Sequence, residues 1–272
     1  MNRTIKAGLV ACFLFSALQA GAQSAPEKAW SILNDGQQKK NDEKVIAVRV
    51  LGMVQKNPKA MSLALAALKD TNPDVRAAAA KSLGQMGAKS ALPQLKSALE
   101  NEKDASVVVS CAWSLVTLGD PQGFGVYYAV LTGERKSGGG LLDDQKKILH
   151  DPKKMATLGF DEGIGFIPFA GLGKDAFKML TKDDVSPVRA AAAGMLKKDP
   201  DPKTRAALID AASDKSWQVR VAALDVLSQR EDSTVIQDIE PLLDDKKDEV
   251  RYTAAAAVAH LDDVKRHKTV SK

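Results

Sequence analysis

One short pattern recurs along the chain and limits its folding options more than any other feature. It appears as Pro73-Asp74-Val75-Arg76-Ala77-Ala78-Ala79-Ala80, then as Pro187-Val188-Arg189-Ala190-Ala191-Ala192-Ala193. It returns as Gln218-Val219-Arg220-Val221-Ala222-Ala223 and as Glu249-Val250-Arg251-Tyr252-Thr253-Ala254-Ala255. A degenerate copy starts at Val107, and another spans Lys44 to Gly52, where Leu51-Gly52 matches Leu83-Gly84. Val75 to Val107 is 32 residues, and Val188 to Val219 and Val219 to Val250 are 31 each. Val107 to Val188 is 81, one repeat with about 50 extra residues. A fixed period of this length marks stacked supersecondary units.

Each unit reads as two helices. The Val-Arg helix places apolar residues at helical spacing, as in Val219, Ala222, Ala223, Val226 and Leu227. Polar residues followed by proline, Asn72-Pro73 and Ser186-Pro187, mark helix starts. Partner helices are expected near Ala60 to Leu68, Ala91 to Leu99, Arg205 to Ala212 and Val235 to Leu243. Composition agrees: aromatics are only 5%, and alanine on packed faces allows close helix approach. A single pair cannot bury its apolar face, whereas stacked pairs share a continuous core. The expected fold is all-α, an α-solenoid of about six helix pairs with one inserted segment. These residues resemble HEAT-like repeats of the short bacterial type, as in phycobilisome lyases. The resemblance implies architecture and says little of function, because repeat folds host many roles.

The first 22 residues have the layout of a secretory signal. Arg3 and Lys6 precede an apolar stretch from Ala7 to Leu18, and Ala20-Gly21-Ala22 supplies the small residues of a cleavage site. That stretch, about 12 residues, is shorter than the roughly 20 needed to span a bilayer. Export to the periplasm or the medium is expected. Leu9-Val10-Ala11-Cys12 offers a lipoprotein alternative, with acylation at Cys12, but the apolar run continues beyond the cysteine. Loss of residues 1–22 removes two positive charges and reduces the net charge from +5 to +3. Interspersed Lys, Arg, Asp and Glu describe a solvated mixed surface and no nucleic-acid stripe. Cys111, in an apolar helix, reads as a buried thiol.

The expected organisation is a signal peptide (1–22), N-terminal repeats (23–119), a Gly- and aromatic-rich insertion (120–173), C-terminal repeats (174–261) and a charged tail (262–272). The insertion carries Tyr127 and Tyr128, a Gly138-Gly139-Gly140 link, and the apolar run Gly163 to Gly173. That run reads either as a buried plug on the solenoid or as a docking loop. In the second case Phe166, Ile167 and Phe169, together with Tyr127 and Tyr128, are partner-docking candidates. Gly133 and Gly138 have phosphate-loop spacing, but glycines stand where its Lys and Ser or Thr belong.

Arg76, Arg189, Arg220 and Arg251 occupy one register, with acidic residues upstream of them such as Asp214, Asp244 and Asp245. In HEAT-like families such residues link neighbouring units, so a structural ladder is expected; an anion-binding stripe is the alternative. His150, His260 and His267 are the only histidines, and His260 and His267 read as solvated tail residues. Their seven-residue spacing does not suit a helical metal pair. Some HEAT-like proteins are di-iron hydroxylases with repeated His-Glu dipeptides; this chain has no His-Glu, and the activity is not carried over. No catalytic residue, metal or cofactor is therefore expected. The functional expectation is an exported, non-catalytic scaffold or adaptor that binds protein partners through the solenoid's concave face and the insertion. The alternatives are a peripheral membrane tether using the apolar insertion and a lyase-like accessory enzyme.

Overall fold

The structure, a computed structural model, describes residues 23–126 and 186–270. The described segments are helical and pair as the repeat predicts. The helices are α1 (Ala25–Gly36), α2 (Asn41–Arg49), α3 (Pro58–Ala67), α4 (Pro73–Gln85), α5 (Leu92–Asn101) and α6 (Ala105–Thr117). Then come α7 (Ser186–Met195), α8 (Pro202–Ala212), α9 (Trp217–Gln229), the one-turn α10 (Ile236–Ile239) and α11 (Asp248–Val270). The Val-Arg helices are α2, α4, α6, α7, α9 and α11; the others are their outer partners.

Local chemistry sets the boundaries. Asn72 caps α4 by accepting from the Asp74 N–H at 2.9 Å, with Pro73 at the first helical position, where its missing N–H costs nothing. Asp104 caps α6 in the same way. Gly87 (φ +70°) and Gly119 (φ +86°) end α4 and α6 in the left-handed region, 32 residues apart. At both ends the next N–H closes a Schellman turn, Ala88 to the Leu83 carbonyl at 3.1 Å and Asp120 to the Leu115 carbonyl at 2.8 Å.

The last outer helix departs from expectation. Where one helix is predicted over Val235 to Leu243, a 3-10 turn (Ser233–Val235), α10 and a second 3-10 stretch (Glu240–Asp244) follow one another. Pro241 lacks the N–H that a continuing α-helix needs there. Residues 262–270, in the segment expected as a charged tail, continue α11 as helix with an exposed end.

The stacking order is not the sequence order. The Val-Arg helices lie side by side as α6–α4–α2–α11–α9–α7, so the last helix of the chain packs against the first pair. The two repeat blocks therefore meet through their termini, α1 and α2 against α11, and α6 and α7 stand at opposite ends of the row. Gly36 makes this junction close. A Cβ there would lie 2.4 Å from Ala47 Cβ and 2.7 Å from Tyr252 Cε1.

The core is continuous across the junction. Ala254 to Ala257 and Ala259 of α11 are fully buried, as are Leu33 of α1, Leu51 beyond α2 and Leu261. Burial of each such leucine contributes about 1.5–3 kcal/mol. Ser82 donates to the Val48 and Arg49 carbonyls at 2.8 and 3.0 Å, and Ser114 donates to the Ala80 carbonyl at 2.7 Å. These two hydroxyls, 32 residues apart, fix one inner helix against the next.

Candidate functional site: the concave groove

The four ladder arginines repeat a common geometry, most fully at Arg76 and Arg220. Arg76 Nη1 donates to the carbonyls of Asp70 and Thr71 at 2.8 and 3.0 Å, the turn before its own helix. Nε and Nη2 grip Glu102 of the next unit at 2.7 and 3.0 Å, a bidentate pair. Arg220 holds the Asp214 and Lys215 carbonyls at 2.8 and 3.2 Å and pairs with Asp245 at 3.0 Å. Arg189 pairs with Asp214. In the degenerate α2 unit Lys44 takes the position and pairs with Asp70 at 2.6 Å.

Arg251 sits on the last of the described Val-Arg helices. It pairs with Asp248, donates to the Asp245 carbonyl at 3.1 Å, and reaches Glu43 of α2 at 3.5 Å. Tyr252 donates to the same Glu43 at 3.0 Å. Burial, reinforced by that carboxylate, pushes the Tyr252 hydroxyl up to about 12, so it remains a donor. The ladder thus continues across the junction of the two blocks.

The paired acids also shape their turns. Asp70, Asp214 and Asp245 each accept a backbone N–H two residues on, at 2.8, 2.9 and 2.8 Å. Burial disfavours the Glu102 carboxylate, but the Arg76 hydrogen bond and two backbone N–H groups outweigh it and hold its pKa below the ordinary value.

A cavity of about 360 Å³ opens over the C-terminal ends of the inner helices, across the block junction. Every lining residue comes from a Val-Arg helix or the turn directly after one, which puts the cavity on the inner-helix side of the row. Gln55 follows α2 and Gln85 closes α4; Lys197 follows α7. Asp225 and Gln229 project from α9, Glu231 follows it, and His260 comes from α11.

Asp225 is 5% exposed and is the one carboxylate residue in the buried class among the described residues. Its hydrogen-bond partner is the Gln229 amide at 2.6 Å, and among the described residues no basic side chain lies within ion-pair distance. Burial pushes its pKa up to about 6, against the Gln229 bond and the Lys197 charge. His260 is 6% exposed, and its Nδ1 has no hydrogen-bond partner. Burial lowers its pKa, against the charges of Glu231 and Asp263. This corrects the reading of His260 as a solvated tail residue: α11 runs through the junction, and the residue lies where three inner helices converge. His267, further along, is exposed.

Glu231 carries φ +53°, at the register where α4 and α6 place Gly87 and Gly119. A non-glycine there costs about 1 kcal/mol. Tyr127, Tyr128, Phe166, Ile167 and Phe169 lie outside the described residues. Phe124, just before them, is 58% exposed. Cys111 is buried, as expected. Among the described residues no group of three His, Cys, Asp or Glu side chains is arranged to hold a metal ion. Among them too, no helix is long and apolar enough to cross a membrane.

Sequence reasoning named a concave face lined by the Val-Arg helices but none of these residues, because they come from five of those helices and their following turns, which sequence order does not bring together. One signal was available: Asp225 places a carboxylate inside the otherwise apolar stretch Val221 to Leu227.

The paired helices, the 31–32-residue period and the arginine ladder define an α-solenoid of the repeat class. A sequence profile of HEAT repeats matches residues 32–116 and 174–259, well over half of the chain. The chain belongs to the HEAT-repeat family. No curated protein matches it. Among solved structures it is similar to the complex of CpcE and CpcF of phycocyanin lyase from Nostoc sp. PCC7120. The identity is 20%, over 93% of this chain and 98% of that one, with a TM-score of 0.33. An engineered protein matches at 15% identity, over 87% and 97% of the two chains, with a TM-score of 0.26.

Proposed function

We propose that this protein is a non-catalytic scaffold or adaptor that receives a protein partner on its concave face. The observation that carries the reading is the groove itself: a polar cavity of about 360 Å³ on a face built only from inner helices and their following turns. Solenoids present such faces as extended binding surfaces. The mixed lining of amides, two acids, a histidine and one lysine suits a polypeptide with its own polar and charged side chains.

The protein acts outside the cytoplasm, after removal of residues 1–22, and the 120–173 segment supplies a second docking element through Phe166, Ile167 and Phe169. The ladder of Arg76, Arg189, Arg220 and Arg251 keeps the inner helices in register and takes no part in binding.

The test is affinity capture from cells with the groove filled by Gln55→Trp and Gln85→Trp. Loss of the captured protein with little change in melting temperature is expected. Undiminished capture would overturn the concave-face reading. Flotation of the protein with liposomes, abolished by Phe166→Ser and Phe169→Ser, would replace it with a membrane tether. The mass of the mature N-terminus checks export: a chain starting at Gln23 is expected, and an intact Met1 contradicts it.

A further inference from the structure

We infer that the groove is an arginine-receiving site: the Asp225–Glu231–His260 cavity takes a guanidinium carried by the partner. The inference deepens the scaffold reading and rests on it.

Three observations lead there. First, Asp225 stands apart from the ladder acids. Asp70, Glu102, Asp214 and Asp245 each have a Lys or Arg at ion-pair distance, whereas Asp225, more buried than any of them, has among the described residues only the Gln229 amide. A buried carboxylate without a cation is costly to keep, and a desolvated one facing a cavity is poised for an incoming positive charge. Second, the His260 ring lines the same cavity, and its Nδ1 is buried without a partner. A neutral imidazole nitrogen of this kind accepts an N–H. Third, Glu231 holds its strained backbone conformation at the cavity rim, where the α4 and α6 units use glycine.

The remaining surroundings favour the same occupant. The amides of Gln55 and Gln85 offer carbonyl oxygens from the opposite side of the junction. The cavity lies at the C-terminal ends of helices, where the backbone dipoles favour cations. Acceptors spread around a volume of about 360 Å³ suit the five divergent donors of a guanidinium better than a compact ammonium. Lys197 is the one basic residue among the lining groups; it is exposed and lies at the rim.

The charged groups that act on the site are Asp225 and Glu231 from the α9 side, Lys197 after α7, and His260 with Asp263 from α11, which also brings the Lys268 ammonium to the Glu231 carbonyl at 3.0 Å on the rim. The α2 and α4 sides contribute neutral amides. Protonation of Asp225, complete below its raised pKa, removes the main attraction, and protonation of His260 adds repulsion. Affinity therefore falls with acidification.

The test titrates the full mature protein with N-acetyl-arginine amide, N-acetyl-lysine amide and N-acetyl-citrulline amide at pH 7.5 and pH 5. Calorimetry and chemical-shift mapping are the readouts. Saturable arginine binding is expected, stronger than lysine, with none for the neutral citrulline analogue. Asp225→Asn should weaken it by at least about tenfold, and Glu231→Gln by less. The thermal transition of each variant reports folding separately, and Gln85→Leu provides a second variant on the opposite wall. Equal binding of citrulline and arginine, or undiminished binding by Asp225→Asn, overturns the inference. If the arginine probe does not bind while groove-blocking substitutions still abolish partner capture, this inference fails and the scaffold reading stands. If capture also survives groove blocking, both fail.

Discussion

At the residue scale, two groups in the groove trade stability for chemistry. Asp225 has a folded pKa of about 6 against an ordinary 3.8. The folded state then binds the proton more tightly, so the stabilising effect is complete below the ordinary value and is lost as pH rises through about 6. Two pKa units correspond to about 3 kcal/mol. Asp225→Asn should therefore raise stability by about 2–3 kcal/mol at pH 7.5, with the gain vanishing near pH 4; denaturant melts at both pH values check this. A destabilised variant at pH 7.5 would show that the carboxylate has a compensating partner. His260 works in the opposite direction. Its lowered pKa means that stability falls as pH drops below its ordinary 6.5. Glu231→Gly should add about 0.5–1 kcal/mol by relieving the left-handed backbone, while reducing affinity for the arginine probe. A gain in both would separate the strain from the site.

At the element scale, the arginine ladder does what backbone hydrogen bonds do elsewhere. The Arg76 and Arg220 guanidiniums each join their own preceding turn to the acid of the next unit. The contribution should follow exposure. The Arg220 side chain is 16% exposed and Arg189 45%. Arg220→Ala should cost about 2–3 kcal/mol, because it leaves Asp245 and two carbonyls short of donors. Arg189→Ala should cost about 1 kcal/mol or less. Thermal melts compare them, and equal losses would contradict a burial-controlled ladder. Asp70, Glu102 and Asp214 of the ladder have lowered pKa values, so their contribution persists above the ordinary carboxylate range and is lost as pH falls below it. Most elements were legible beforehand. Asn72-Pro73 announced α4, and the Val219 to Leu227 spacing announced α9. Pro241 was present in the sequence as well, but periodicity alone hid its effect on the last outer helix. Ser82 and Ser114 were not recognised, because a hydroxyl that bonds a neighbouring helix looks in sequence like any small residue.

At the scale of the whole molecule, the decisive feature was illegible: the last Val-Arg helix docks on the first pair, and this brings His260 beside Gln55 and Gln85. A period reports what each unit is, not which unit lies beside which across a long insertion, so apart from Asp225 the groove's lining left no mark in residue order. The junction carries two consequences. Gly36→Ala should destabilise the protein by about 1–3 kcal/mol, because the added methyl meets Ala47 and Tyr252; an unchanged melting temperature would mean that the helices separate readily there. A protease site placed at Gly138-Gly139-Gly140 should yield two fragments that still elute as one particle after cleavage, since α1 and α2 hold α11 independently of the insertion; separation of the fragments would contradict the junction. The central claim, that the concave groove across this junction receives a protein partner, is tested most directly by photo-crosslinking in living cells. A photoreactive residue replaces Gln85 in the groove, and another replaces Glu100 on the exposed side of α5 as a control. A discrete protein adduct from position 85 and none from position 100 is the predicted result. Equal adducts from both positions, or none from position 85, would contradict it.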